Sequence, residues 1–187
     1  MLHRLTTMLA GVLFLASSSA FAAGQEPLTE DQARRFAATL PALDAFGDAL
    51  EAEGKTHRLQ IDTKPKAGEA FKPYSKAVQS LKRNYPADHA KLERMVNPHG
   101  FSASQWGRLG DRIIIAYLAL TMAEQDPRAM AMMEGMDKSA LDMMPPEIKE
   151  RFAAAATLMD TVKNAPEADK KVVATVKPEL DAHMSDE

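Results

Sequence analysis

Apolar residues recur along most of this chain at intervals of three and four. That is the period of a helix buried along one face. Phe36, Leu40, Leu43, Phe46 and Leu50 form one such series. Thr29 stands just before it with Gln32 three residues on, the spacing of a capping box. Glu30 and Asp31 suit the positive end of a helix dipole. Pro41 lacks the amide donor that a continuous helix needs, so the pattern predicts a break near Thr39–Leu40. Gly54 is expected to close the segment, because glycine tolerates the left-handed turn that ends helices.

The pattern then lapses. Gly54 to Pro73 carries four lysines, two prolines and a second glycine, and reads as a loop, either a connector or a partner-contacting segment. Short helices are expected near Ser75–Asn84 and Pro86–Val96, the second opened by its proline. "NPHG", Asn97 to Gly100, reads as a turn. Ser102 and Gln105 then supply a second capping box. From there Trp106, Leu109, Ile113, Ala116, Tyr117 and Leu120 make a stripe, and Ile114, Ile115 and Leu118 widen it. A helix apolar on most sides belongs inside a bundle, so residues 103–124 are expected to form its centre. Gly107 and Gly110 lie one turn apart and invite another helix to close approach. Asp111 and Arg112, at the edge of this buried half, read as a rim ion pair or as a charged pair in a cleft.

Asp126-Pro127 opens a further short helix, and Pro145-Pro146 the next, over roughly 146–163, with Ile148, Phe152, Ala155, Ala156 and Met159 as its face. A last helix is expected over Glu167–Val176, ended or kinked by Pro178, with a frayed tail from Asp181. Ala, Leu, Met, Glu, Lys and Arg dominate throughout. The expected fold is therefore all-α, a helical bundle of about six to seven helices forming one domain, residues 23–187, with 54–73 as its flexible loop.

The N-terminus departs from this scheme. Met1 to Arg4 is a short basic start, Leu5 to Ala16 is mostly apolar, and Ala20-Phe21-Ala22 offers small residues where a signal peptidase reads. Residues 1–22 are expected to be a signal peptide cut between Ala22 and Ala23, with a cut after Ala20 as the nearby alternative. The apolar run falls short of the roughly 20 residues of a membrane span. The expected location is the periplasm of a Gram-negative bacterium, or outside the cell.

The 187-residue chain contains no cysteine, which removes thiol catalysis, thiolate metal sites, disulfides and a lipoprotein anchor. Its 23 basic side chains face 26 acidic ones, for a net charge of −3. A mixed, slightly acidic surface argues against nucleic acid, which requires a basic stripe, and against anionic membranes.

Candidate chemistry concentrates in "AMAMMEGMDKSALDMM", Ala129 to Met144, which holds six of the twelve methionines. On a helical wheel Met130, Met132, Met133 and Met136 span roughly 160°. Three readings stand. Methionine fills irregular core gaps. It also makes adaptable contact surfaces, for which Met130, Met133, Met136, Met143 and Met144 are the candidates. Thioethers bind soft metals, and Met132, Met133 and Met136 are spaced to share a Cu(I) or Ag(I) ion. His89 and Glu93 have chelate spacing on one helix face but no third partner in sequence. Nucleophile elbows, phosphate loops and HExxH are absent. Paired carboxylates assembled by the fold are the route left to an enzyme.

"LTEDQ", Leu28 to Gln32, resembles the LTxxQ signature of Spy-type periplasmic chaperones, and "FSASQ", Phe101 to Gln105, echoes it. The resemblance implies an all-helical, ATP-independent chaperone that cradles unfolded chains on a concave surface. "HGFSASQWGRLGDRIIIAY" resembles a segment of uncharacterised secreted, all-helical proteins of Gram-negative bacteria, which implies location but no activity. The expected function is binding rather than catalysis. Its partner would be a protein or another apolar ligand, with no cofactor, no nucleic acid and no membrane span.

Overall fold

A computed structural model describes residues 26–56, 66–125 and 145–184, and of residues 123–125 the backbone alone. Seven α-helices and no strand occur among the described residues. They are α1 (Glu30–Ala37), α2 (Leu40–Ala52), α3 (Pro73–Asn84), α4 (Pro86–Val96), α5 (Ala103–Gln125), α6 (Pro146–Lys163) and α7 (Glu167–Met184). The fold is the expected all-α bundle. Among the described residues no helix is long and apolar enough to cross a membrane. The methionine segment, Met130 to Met144, lies outside the described residues, as do residues 57–65 of the expected loop.

The local signals act as their chemistry requires. Gln32 N–H donates to Thr29 Oγ1, and Thr29 N–H donates back to Gln32 Oε1 at 3.0 Å, completing the capping box that opens α1. Ser102 and Gln105 reproduce it at the start of α5. The chain breaks between α1 and α2 at Ala38–Thr39, as Pro41 demands. Gly54 takes φ +64°, and the amides of Gly54 and Lys55 reach back to the carbonyls of Glu51 and Leu50, a Schellman closure of α2. Asn97–His99 is a single 3₁₀ turn.

Helix α5 is the axis of the bundle, packed by α3, α7, α6, α4 and α1. Its stripe of Trp106, Leu109, Ile113, Ala116 and Tyr117 is buried. Leu120, Ile114, Ile115 and Leu118 are half-buried. The two glycines of α5 face α3. A β-carbon on Gly107 would lie 3.1 Å from Val78 and 3.3 Å from the Ser75 backbone, and one on Gly110 only 2.7 Å from the Tyr74 ring. That close approach brings Phe36, Tyr74 and Trp106 from three helices into one aromatic cluster. Phe36 stacks on Trp106 at 5.4 Å between centroids, and Tyr74 stands edge-on to both.

Three features differ from the sequence reading. First, α7 does not stop near Val176. It runs through Pro178 to Met184, although an interior proline forfeits a backbone bond. Tertiary contacts hold the extra turns. Leu180 is fully buried, Tyr117 Oη donates to Asp181 at 2.9 Å, and His183 pairs with Asp44. Second, Asp111 and Arg112 go separate ways. Arg112 forks onto Asp169 of α7 at 2.7 and 3.0 Å, the expected ion pair with another helix. Asp111 instead accepts from the amides of Tyr74 and Ser75, capping α3 from across the interface. Third, the apolar face expected on α6 is poorly covered by the described residues. Ile148 and Ala156 are exposed, and Val162 is the buried side chain of this helix.

Candidate binding groove and arginine cleft

The helix period that makes α2 amphipathic also leaves its apolar face partly open. Leu40 and Leu50 sink into the core, while Leu43 and Phe46 between them stay half-buried. Opposite them stand Tyr74, Ala77 and Leu81 of α3, with Trp106 of α5 behind. The result is an apolar groove of about 270 Å³ between α2, α3 and the end of α7. Small-molecule sites usually enclose about 300–1,000 Å³, so this one suits an apolar group or tail rather than a large ligand.

Polar atoms gather at one rim of the groove. His183 Nδ1 and Asp44 Oδ2 lie 2.6 Å apart and join α7 to α2. Burial, together with the charges of Asp111 and Asp44, pushes the Tyr74 phenol up to about 12, so it stays a neutral hydroxyl. Gly47, on the exposed side of α2, lines the groove with nothing within 4 Å of where its β-carbon would stand. The arrangement thus pairs an apolar body with a hydrogen-bonding end.

A second concavity, of about 410 Å³, lies where α1 meets the start of α5. Arg35, Arg108 and Arg112 converge there with Gln32 and Gln105, the glutamines of the two capping boxes. Arg35 is held by Asp31 at 2.8 Å and by the His99 carbonyl, and lies over the Phe101 ring. Arg112 is held by Asp169 and by the Glu26 carbonyl at 2.8 Å.

A third recess, of about 460 Å³, opens between α3, α5 and α6 and includes Ser75, Asp111, Ile115 and Thr161. Burial pushes the Asp111 carboxyl up, and the Ser75 and Tyr74 donors oppose that. Because those donors are the Ser75 side chain and the two amides at the start of α3, Asp111 serves the fold here. The recess lacks the uniform chemistry of the groove.

The sequence-derived candidates fall elsewhere or divide. Met130, Met132, Met133, Met136, Met143 and Met144 lie outside the described residues. Glu93 of the His89–Glu93 pair accepts the Ala103 amide at 2.7 Å and so helps to start α5. His89 Nε2 is buried without a hydrogen-bond partner among the described residues. There, too, no three His, Asp or Glu side chains are grouped to hold a metal. Of the groove, the sequence showed the α2 stripe. It could not show that His183 returns to Asp44, a contact spanning 139 positions. No protein-family model, no curated protein and no solved structure matches the chain.

Proposed function

We propose that this is a periplasmic or secreted binding protein that works without catalysis. Its ligand would be an amphipathic molecule whose apolar end enters the groove between α2, α3 and α7. The observation that carries this reading is the pairing of an open apolar lining with a polar rim of Asp44 and His183. Apolar pockets with a few convergent polar groups are where small ligands bind. The basic start, short apolar run and small residues of positions 1–22, read as a leader, support the location. The mature chain recovered from the periplasm should begin at Ala23, and a chain that still begins at Met1 would contradict that location.

Trp106 is the chain's one tryptophan and lines the groove, which makes it a built-in reporter. Titration with the neutral probe N-phenyl-1-naphthylamine should saturate at one site and quench Trp106 emission. Gly47→Leu should abolish that response while raising the melting temperature, because the new side chain fills open space on a helix. A non-saturating titration, or equal binding by Gly47→Leu, would overturn the proposal.

A further inference from the structure

The glutamines of the two capping boxes, far apart in sequence, line one cleft, and capping decides which of their groups face it. Gln32 Oε1 accepts the Thr29 amide at 3.0 Å. Gln105 Oε1 accepts both the amide and the hydroxyl of Ser102 at 2.9 Å. A glutamine side chain has one acceptor and one NH₂ donor group. Capping engages both lone pairs of Gln105 Oε1 and one of the two on Gln32 Oε1, while the NH₂ group of each glutamine makes no hydrogen bond among the described residues and is left for the cleft. Arg35 and Arg112 are balanced by Asp31 and Asp169. Arg108 lines the cleft as well, at its border with the recess between α3, α5 and α6, exposed and with no hydrogen bond or ion pair among the described residues. Phe101 and Leu109 add an apolar wall, and Glu26 is the acid in the lining.

We propose that this cleft binds a carboxylate carrying a small apolar substituent, held by Arg108 and by the amide donors of Gln32 and Gln105. One unspent guanidinium matches a single negative charge. Its fork pairs naturally with the two oxygens of a planar carboxylate. A doubly charged phosphate would meet Glu26 without a second free cation, among the described residues of the cleft, to offset it. The site is independent of the apolar groove, and each can fail without the other.

Benzoate is a suitable probe, followed on the full mature chain by NMR through the side-chain NH₂ signals of Gln32, which lines the cleft and is present in every variant. The expected result is a saturable shift, with inorganic phosphate and sulfate binding at least tenfold more weakly. Two variants separate binding from folding. Arg108→Gln removes the unspent guanidinium, and Gln105→Glu keeps the acceptor that caps α5 while replacing the donor with a second carboxylate oxygen. Both should weaken benzoate at least tenfold with an unchanged melting temperature. No saturable shift, undiminished binding by Gln105→Glu, or phosphate binding as tight as benzoate would overturn the proposal.

Discussion

The indole N–H of Trp106 donates to the hydroxyl of Thr39 at 3.0 Å, inside the core. The same hydroxyl donates to the Phe36 carbonyl at 2.6 Å. Thr39 sits where Pro41 forces the chain to leave one helix and start another. A break of this kind exposes carbonyls that a continuous helix would bond. Thr39 satisfies one of them and, in the same act, fastens the break to the central helix.

Thr39→Val keeps the shape but removes both bonds and leaves a buried indole N–H without an acceptor. It should cost about 1–3 kcal/mol. Urea denaturation measures this directly, and a loss below about 0.5 kcal/mol would show that the hydroxyl is not the fastener described.

Two glycines on different helices should respond in opposite directions to the same substitution. Gly110→Ala drives a methyl against the Tyr74 ring and toward Phe36, both held in the aromatic cluster. Overpacking of that kind costs about 1–3 kcal/mol. Gly47→Ala meets open space and should stabilise by roughly 0.5–1 kcal/mol through helix propensity. Denaturation midpoints of the two variants that shift in the same direction would refute this account of α3 and α5.

Acid should weaken the ion pairs of Asp88. Asp88 is buried, with Lys55 Nζ at 2.7 Å and Lys91 Nζ at 3.1 Å. The Lys55 hydrogen bond, with help from Lys91, holds its carboxyl below the ordinary value against the opposing effect of burial. A carboxyl depressed in the folded state stabilises the protein above its unfolded pKa, and that contribution fades as pH falls through the folded value. Asp111, raised chiefly by burial, has the opposite sign, since its folded form binds the proton more readily. Asp88→Asn should therefore destabilise the protein near neutral pH and much less at about pH 3. Melting temperatures at the two pH values check it, and an equal deficit at both would contradict the pairing.

Helix existence and most boundaries were legible because local rules write them. The Thr29–Gln32 and Ser102–Gln105 boxes, the break before Pro41, the turn at Gly54 and the opening at Pro86 each depend on residues within one turn of one another. The stripe on α5 marked the core for the same reason. Where a distant partner decides, the local reading failed. Pro178 reads as a terminus until Leu180, Asp181 and His183 find the core, Tyr117 and Asp44. Asp111 reads as an ion-pair partner until α3 brings two bare amides to it.

The sequence by itself determined an all-α chain, its helix starts, its central helix and the close approach at Gly107 and Gly110. Periodicity and capping depend on neighbours a few residues away, so they survive translation into a linear pattern. The tertiary structure alone decided which surfaces stay open. The apolar groove exists because α7 returns to α2 at His183 and Asp44. The arginine cleft exists because α1 and α5 bring Gln32 and Gln105, from two separate capping boxes, into one lining. Concavity belongs to relations between helices, and no single helix carries it.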